Sequence, residues 1–180
     1  MKRLIIGAMA VAVGMGAAGC GSSSNNNNPT GPSNTGPIVF SAQLLASSEV
    51  PPVTNAESGG RGTATITFTV PRDSAGVPNG GGSATFTVQL SGFPAGSVAQ
   101  AAHIHPGAAG VNGSVLVNTG LSPAAPVLLS DGTGNISITI TNLSQTDATN
   151  IYNNPAGYYF NVHTPVNPGG AVRGQMTRVQ

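Results

Sequence analysis

The chain has 180 residues, of which 39% are hydrophobic and only 6% are charged, and its formal net charge is +1. This length suits one domain with a tail, and the 26 glycines and 14 prolines favour strands and turns over helices. Lysine and arginine form no cluster beyond the first three residues, so we expect no nucleic-acid binding.

The N-terminus has the pattern of a secretory signal. Lys2 and Arg3 precede an apolar stretch over 4–18. A retained anchor helix is the alternative, but glycines interrupt the stretch and it is shorter than the roughly 20 apolar residues of a membrane span. We therefore predict a signal peptide at 1–19 that is removed during export.

The single cysteine, Cys20, follows Ala17-Ala18-Gly19. This segment resembles the lipobox of bacterial lipoproteins, and the resemblance implies that Cys20 carries acyl chains such as palmitate. It implies export across the inner membrane and lipid anchoring in the cell envelope. Gly21 after the cysteine resembles lipoproteins that are sorted to an outer membrane, where the host has one. A lone cysteine also excludes a disulfide within the chain.

Residues 20–37 form a Ser-, Asn-, Pro- and Gly-rich segment, which includes four consecutive asparagines at 25–28. Such a segment lacks the apolar side chains that would offset the entropy cost of ordering it. We predict a flexible tether here and a folded domain over 38–180.

Most of the domain is predicted as strands. Apolar and polar side chains alternate in the runs 63–70, 83–90 and 135–140, which indicates strands with one buried face. The first strand begins near Ile38 and ends before Pro51-Pro52, because proline cannot continue a strand interior. Further strands are predicted at 98–105, 115–117, 127–129, 158–164 and 171–176. Eight or nine short strands predict an all-β fold, an antiparallel sandwich or barrel.

One short helix is expected near residue 144. Ser144 can cap its N-terminus, and Asp147 carries the negative charge that a helix N-terminus favours. The segment 155–157, which contains proline and glycine, would end it.

The chain has three histidines. His103 and His105 are two residues apart in a predicted strand, so both rings project from the same face. His163 lies in a later strand, and a cross-strand contact would bring it to the same site. Three imidazoles suit copper or zinc. The alternative is structural: the rings hydrogen-bond to backbone, Tyr159 or Asn161 and hold the sheet ends together, and spacing alone does not decide.

Four motifs together resemble the CHRD (chordin-type) domain family: Glu49-Val50-Pro51-Pro52, His103-Ile104-His105-Pro106-Gly107, Asn161-Val162-His163-Thr164 and Arg173-Gly174-Gln175. They cover nearly all of 38–180. The resemblance implies a β-sandwich of immunoglobulin-like character. A fainter likeness is to copper-zinc superoxide dismutase, a sandwich whose copper site uses a His-x-His pair.

Two classes of function follow. The first is a lipid-anchored, extracytoplasmic, non-catalytic binding or structural module with a partner still to be named. The second is a copper- or zinc-binding protein or weak redox enzyme centred on His103, His105 and His163. Glu49 and Arg173 are either ligand contacts or a structural pair at the strand ends. No serine lies in a nucleophile elbow and no acid pair can be assigned, so we expect a non-catalytic protein.

Overall fold

The computed structural model describes residues 36–180. The predicted signal peptide at 1–19, Cys20 and nearly all of the tether lie outside the described residues. Within 36–180, no helix has the length and apolar character needed to cross a bilayer.

Eleven strands and one α-helix occur in the described part of the chain. The strands are β1 (Ile38–Leu45), β2 (Arg61–Thr69), β3 (Gly82–Ser91), β4 (Ser97–Ala99), β5 (Ala101–Pro106), β6 (Val117–Asn118), β7 (Val127–Leu129), β8 (Gly134–Leu143), β9 (Tyr158–His163), β10 (Val172–Gln175) and β11 (Thr177–Arg178), and the helix is α1 (Gln145–Asn153).

Nine strands form one antiparallel sheet that curls into a nearly closed barrel. Its order is β6-β5-β9-β10-β1-β2-β3-β8, and β11 pairs with β1. β4 and β7 form a separate two-stranded ribbon. The prediction of an all-β antiparallel fold is confirmed.

Side chains at alternate positions of the strands point inward and form the core. In β1 the side chains of Phe40 and Leu44 are buried, whereas Gln43 and Leu45 are exposed. The same alternation in β2, β3 and β8 sends phenylalanine, isoleucine and valine side chains inward and places threonines on the outer face. The core therefore fills the inside of the curled sheet, and the outside of β1, β2, β3 and β8 is mostly polar, with Arg61 as its charged residue.

The prediction of one continuous strand over 98–105 is wrong. The chain pairs with β7 over Ser97–Ala99, and then changes partner at Gln100, whose backbone N–H donates to His163 O at 2.9 Å. From Ala101 onward it pairs with β9. The predicted strand at 115–117 is observed as the two residues of β6, Val117 and Asn118, which pair with Ile104 and His103 of β5.

The predicted helix is present as α1. The Ser144 side chain accepts a hydrogen bond from the Asp147 backbone N–H at 3.0 Å and so caps the first turn. Ala148 and Ile151 bury one side of the helix. After α1, a short 3-10 turn at Pro155–Gly157 leads directly into β9.

Candidate metal centre

The three histidines meet on the outer face of β5 and β9. His103 lies opposite Asn161 in the register, His105 lies opposite Tyr159, and Ala101 lies opposite His163. Residues directly opposite each other in an antiparallel pair share a face, so all three imidazoles stand on the side of the sheet that faces away from the core.

The rings are close enough to share one ion. His103 Nδ1 and His163 Nε2 are 3.0 Å apart. One ligand nitrogen from each of His103, His105 and His163 can be chosen so that all three lie within 4.8 Å of one another. Nitrogens bound to one tetrahedral zinc at about 2.0–2.1 Å are roughly 3.3 Å apart. The widest separation exceeds this value by roughly 1.5 Å, so a small movement of the rings would bring all three nitrogens to bonding distance of one ion.

Backbone carbonyls fix the orientation of two rings. His105 Nδ1 donates to Gly113 O at 3.0 Å, and His163 Nδ1 donates to Pro168 O at 2.9 Å. Because a carbonyl only accepts, each Nδ1 carries the proton and each Nε2 keeps its lone pair. Metal-binding histidines commonly donate their second N–H to a carbonyl in this way.

Burial keeps the rings neutral. It lowers the pKa of His103 to about 4, an effect to which the neighbouring His163 and His105 also contribute. Burial likewise lowers the pKa of His163. For His105, burial again lowers the pKa, hydrogen bonding at Gly113 and neighbouring groups opposes the shift, and the positive charge of Arg173 adds to it. At neutral pH all three rings therefore offer uncharged nitrogens, the form that binds metal.

A stack of side chains holds His105 in place. Its ring lies parallel to that of Tyr159, with centroids 4.8 Å apart and an angle of 5° between the planes. The guanidinium of Arg173 lies over the other side of Tyr159, 3.4 Å from the ring centroid. Each member is buried, so the stack is a rigid wall on one side of the histidine cluster.

Arg173 also fixes the loop between β5 and β6, residues 107–116, which lies over this face. It donates to Ala108 O, Val111 O and Asn112 Oδ1 at 2.7–3.0 Å. At Gly113 the loop passes so close to Pro106 that a side-chain carbon would collide with the Pro106 carbonyl oxygen. The loop thereby delivers the Gly113 carbonyl to His105, and Arg173 has a positioning role.

Glu49 lies near Arg173 at the wall of a surface cavity of about 440 Å³, which Gln43, Gly110 and Gln175 also line. Its side chain is 5% exposed, and its Oε1 is buried without a hydrogen-bond partner. Burial raises the pKa of Glu49 to about 7, although the charge of Arg173 and a hydrogen bond from the Val50 backbone oppose the shift. Both predicted residues line this cavity, but Arg173 makes three hydrogen bonds to the loop while Glu49 keeps an unpartnered oxygen.

Replacing Glu49 with glutamine should change stability in a pH-dependent manner. Between pH 4.5 and 7 the folded protein holds this proton more tightly than the unfolded chain, so wild-type stability falls as pH rises. We expect Glu49→Gln to have little effect at pH 5 and to raise the free energy of unfolding by roughly 1–3 kcal/mol at pH 8.

Urea unfolding at the two pH values measures the difference. Glu57→Gln is the matched control, because Glu57 accepts hydrogen bonds from Thr164 and Asn167 at 2.6 Å and its replacement should destabilise the fold. Equal effects of Glu49→Gln at pH 5 and pH 8 would contradict the prediction.

The comparison with protein families agrees with the motifs at this site. Residues 40–176 match the family model of the CHRD domain. The chain belongs to the CHRD domain family. No curated protein sequence matches the chain. Membership of the CHRD family supports a binding or structural role in general.

Two components of the CHRD site were not predicted from the sequence. The carbonyls of Gly113 and Pro168 carry no side-chain signal, and their role depends on loop conformation. Tyr159, Asn161 and His163 alternate with apolar residues along β9 and therefore share one face of the strand. Tyr159 and Asn161 were named from the sequence as hydrogen-bond partners of the rings in the structural alternative, but not as ligands.

Proposed function

We propose that this CHRD protein is a non-catalytic metal-binding module of the cell envelope, in which His103, His105 and His163 hold one copper or zinc ion. The observation that carries the proposal is the convergence of three neutral imidazoles on one face of the sheet, two of them fixed by backbone carbonyls. Imidazole nitrogen is a preferred ligand of both metals.

Metal content tests the proposal. The full chain with Cys20→Ser, which removes the only thiol, would be loaded with Cu²⁺ or Zn²⁺, dialysed and measured by elemental mass spectrometry. We expect about one ion per chain, and loss of that ion in a His103→Ala/His163→Ala variant. No retained metal, with the variant merely less stable, would leave a structural histidine cluster. Stoichiometric metal together with redox turnover would instead favour an enzyme.

The proposal includes display at a membrane through acylated Cys20. The signal-like N-terminus and the lipobox-like segment support it, and the uncharged tether would let the domain stand away from the lipid surface. Each buried methylene of an acyl chain adds about 0.8 kcal/mol of membrane affinity, so several chains hold a protein stably. Radiolabelled palmitate should label the wild-type protein in a bacterial host. Cys20→Ser should lose both the label and the membrane fraction, and a label that persists would contradict acylation at Cys20.

A further inference from the structure

Asn161 lies at the centre of the histidine cluster. It occupies the middle of β9, opposite His103 on one neighbouring strand and opposite Arg173 on the other. Its side chain is 2% exposed, and it stands on the same face of the sheet as the three imidazoles. A buried amide at this position needs a partner, because a buried polar group without a hydrogen bond destabilises the folded state.

The amide oxygen of Asn161 has no partner. Among the described residues, the buried side-chain atoms without a hydrogen bond are Glu49 Oε1, His105 Nε2 and Asn161 Oδ1. The last two belong to neighbouring side chains, because Asn161 lies within hydrogen-bonding range of His105: burial lowers the pKa of that ring, and the Asn161 side chain is among the groups that oppose the shift. Neither Asn161 Oδ1 nor His105 Nε2 has a donor in hydrogen-bonding geometry.

Both of these atoms are acceptors. His105 Nδ1 carries the proton that is donated to Gly113, so Nε2 presents a lone pair, and an amide oxygen presents only lone pairs. Two adjacent buried acceptors without a donor repel each other in the metal-free protein. A cation between them would satisfy both, and it would replace the hydrogen bond that His103 Nδ1 donates to His163 Nε2 at 3.0 Å.

We infer that Asn161 Oδ1 is a fourth protein ligand, so that the centre is a closed set of three imidazole nitrogens and one amide oxygen. This inference rests on the proposed function and extends it. An oxygen donor beside three imidazoles suits a divalent ion, Zn²⁺ or Cu²⁺, better than Cu⁺, which soft sulfur ligands select. Four protein ligands are typical of structural zinc, whereas catalytic zinc keeps one position open for water. The role of the ion is therefore to fasten β5 to β9 and, through the bond from His105 to the Gly113 carbonyl, to hold the loop after β5 against them.

Two substitutions separate ligation from a purely structural amide. Asn161→Asp keeps an oxygen at the same place and removes the N–H, whereas Asn161→Ala removes both. Affinity for Zn²⁺ would be measured by competition with a chromophoric chelator, in the full chain with Cys20→Ser. We expect Asn161→Ala to lose at least tenfold in affinity, and Asn161→Asp to match or exceed the parent because its oxygen is charged.

Cobalt provides a second readout. Co²⁺ in the parent should show the intense visible absorption of a four-coordinate ion, and Asn161→Ala should weaken this absorption as water enters and the coordination number rises. Thermal unfolding without metal checks that both variants fold.

Three results would overturn the inference. Parent-like affinity and spectrum in Asn161→Ala would show that the oxygen is not a ligand. Equal weakening by Asp and Ala would show that the amide N–H matters instead. In both cases the three-histidine site would stand. A parent protein that binds neither Zn²⁺ nor Cu²⁺ would overturn the proposed function, and this inference with it.

Discussion

Replacing Arg173 with methionine is expected to lower the free energy of unfolding by about 2–4 kcal/mol. The arginine is 1% exposed, and its loss would leave the Val111 carbonyl without the Arg173 donor and the Ala108 carbonyl with only the Val111 N–H. It would also remove the cation from the Tyr159 ring. Part of the loss is offset because the fold no longer buries a charge. Urea unfolding at pH 7 measures the change.

Arg178 provides the matched control. Its guanidinium lies 4.2 Å from the centroid of the Tyr152 ring, but it is half-buried and near the C-terminus. We expect Arg178→Met to cost less than about 1 kcal/mol, because exposed cation–π contacts are worth about 0.5–1 kcal/mol. Equal costs for Arg173→Met and Arg178→Met would show that the loop contacts of Arg173 contribute nothing measurable.

Metal should raise the thermal stability of the protein. An ion that binds only the folded state adds about 2.7 kcal/mol at a hundred times its dissociation constant. For a domain of this size, that corresponds to a rise of roughly 5–10 °C in the unfolding temperature. Zn²⁺ or Cu²⁺ should produce the shift in the Cys20→Ser chain, and His103→Ala and His163→Ala should each abolish it. Ca²⁺ is the control ion, since it prefers oxygen ligands and should produce no shift.

The metal-induced shift should depend on pH in a defined direction. The folded rings have lowered pKa values, and that of His103 is about 4, so protons do not compete with metal near neutrality. The shift should persist from pH 7 to about 5 and disappear toward pH 4. The metal-free protein should also lose stability below about pH 6.5, because the unfolded rings then take up protons before the folded ones do. A shift that survives in both histidine variants, or that persists at pH 4, would contradict binding at these rings.

Much of the fold was predictable because it depends on interactions between residues that are close together in the sequence. Alternation in β1, β2, β3 and β8 follows from a sheet with one buried face, and Ser144 marks the start of α1 by its ability to cap. The break between β4 and β5 was not predictable. At Gln100 the strand changes partner between two sheets, and that change depends on segments far away in the chain.

The candidate site also has a part that the sequence predicts and a part that depends on distant segments of the chain. The shared face of His103 and His105 follows from strand geometry. The pairing of β5 with β9 brings His163, the third predicted residue, to the same face. The burial of this outer face could not be inferred, because it depends on a loop that Arg173 ties to the sheet from 60 or more residues away. For the same reason the sequence did not distinguish Arg173, which hydrogen-bonds to the loop, from Glu49, whose Oε1 has no partner.

X-ray absorption spectroscopy of the zinc-loaded Cys20→Ser chain tests the central claim most directly, namely that these imidazoles hold the ion. With His103, His105 and His163 as ligands, the spectrum should show about three imidazole nitrogens and one oxygen at roughly 2.0–2.1 Å. The imidazole scattering should be lost in His103→Ala/His163→Ala. A shell made only of oxygens in the parent protein, as for a hydrated or surface-bound ion, would contradict the claim and leave the histidines with a structural role.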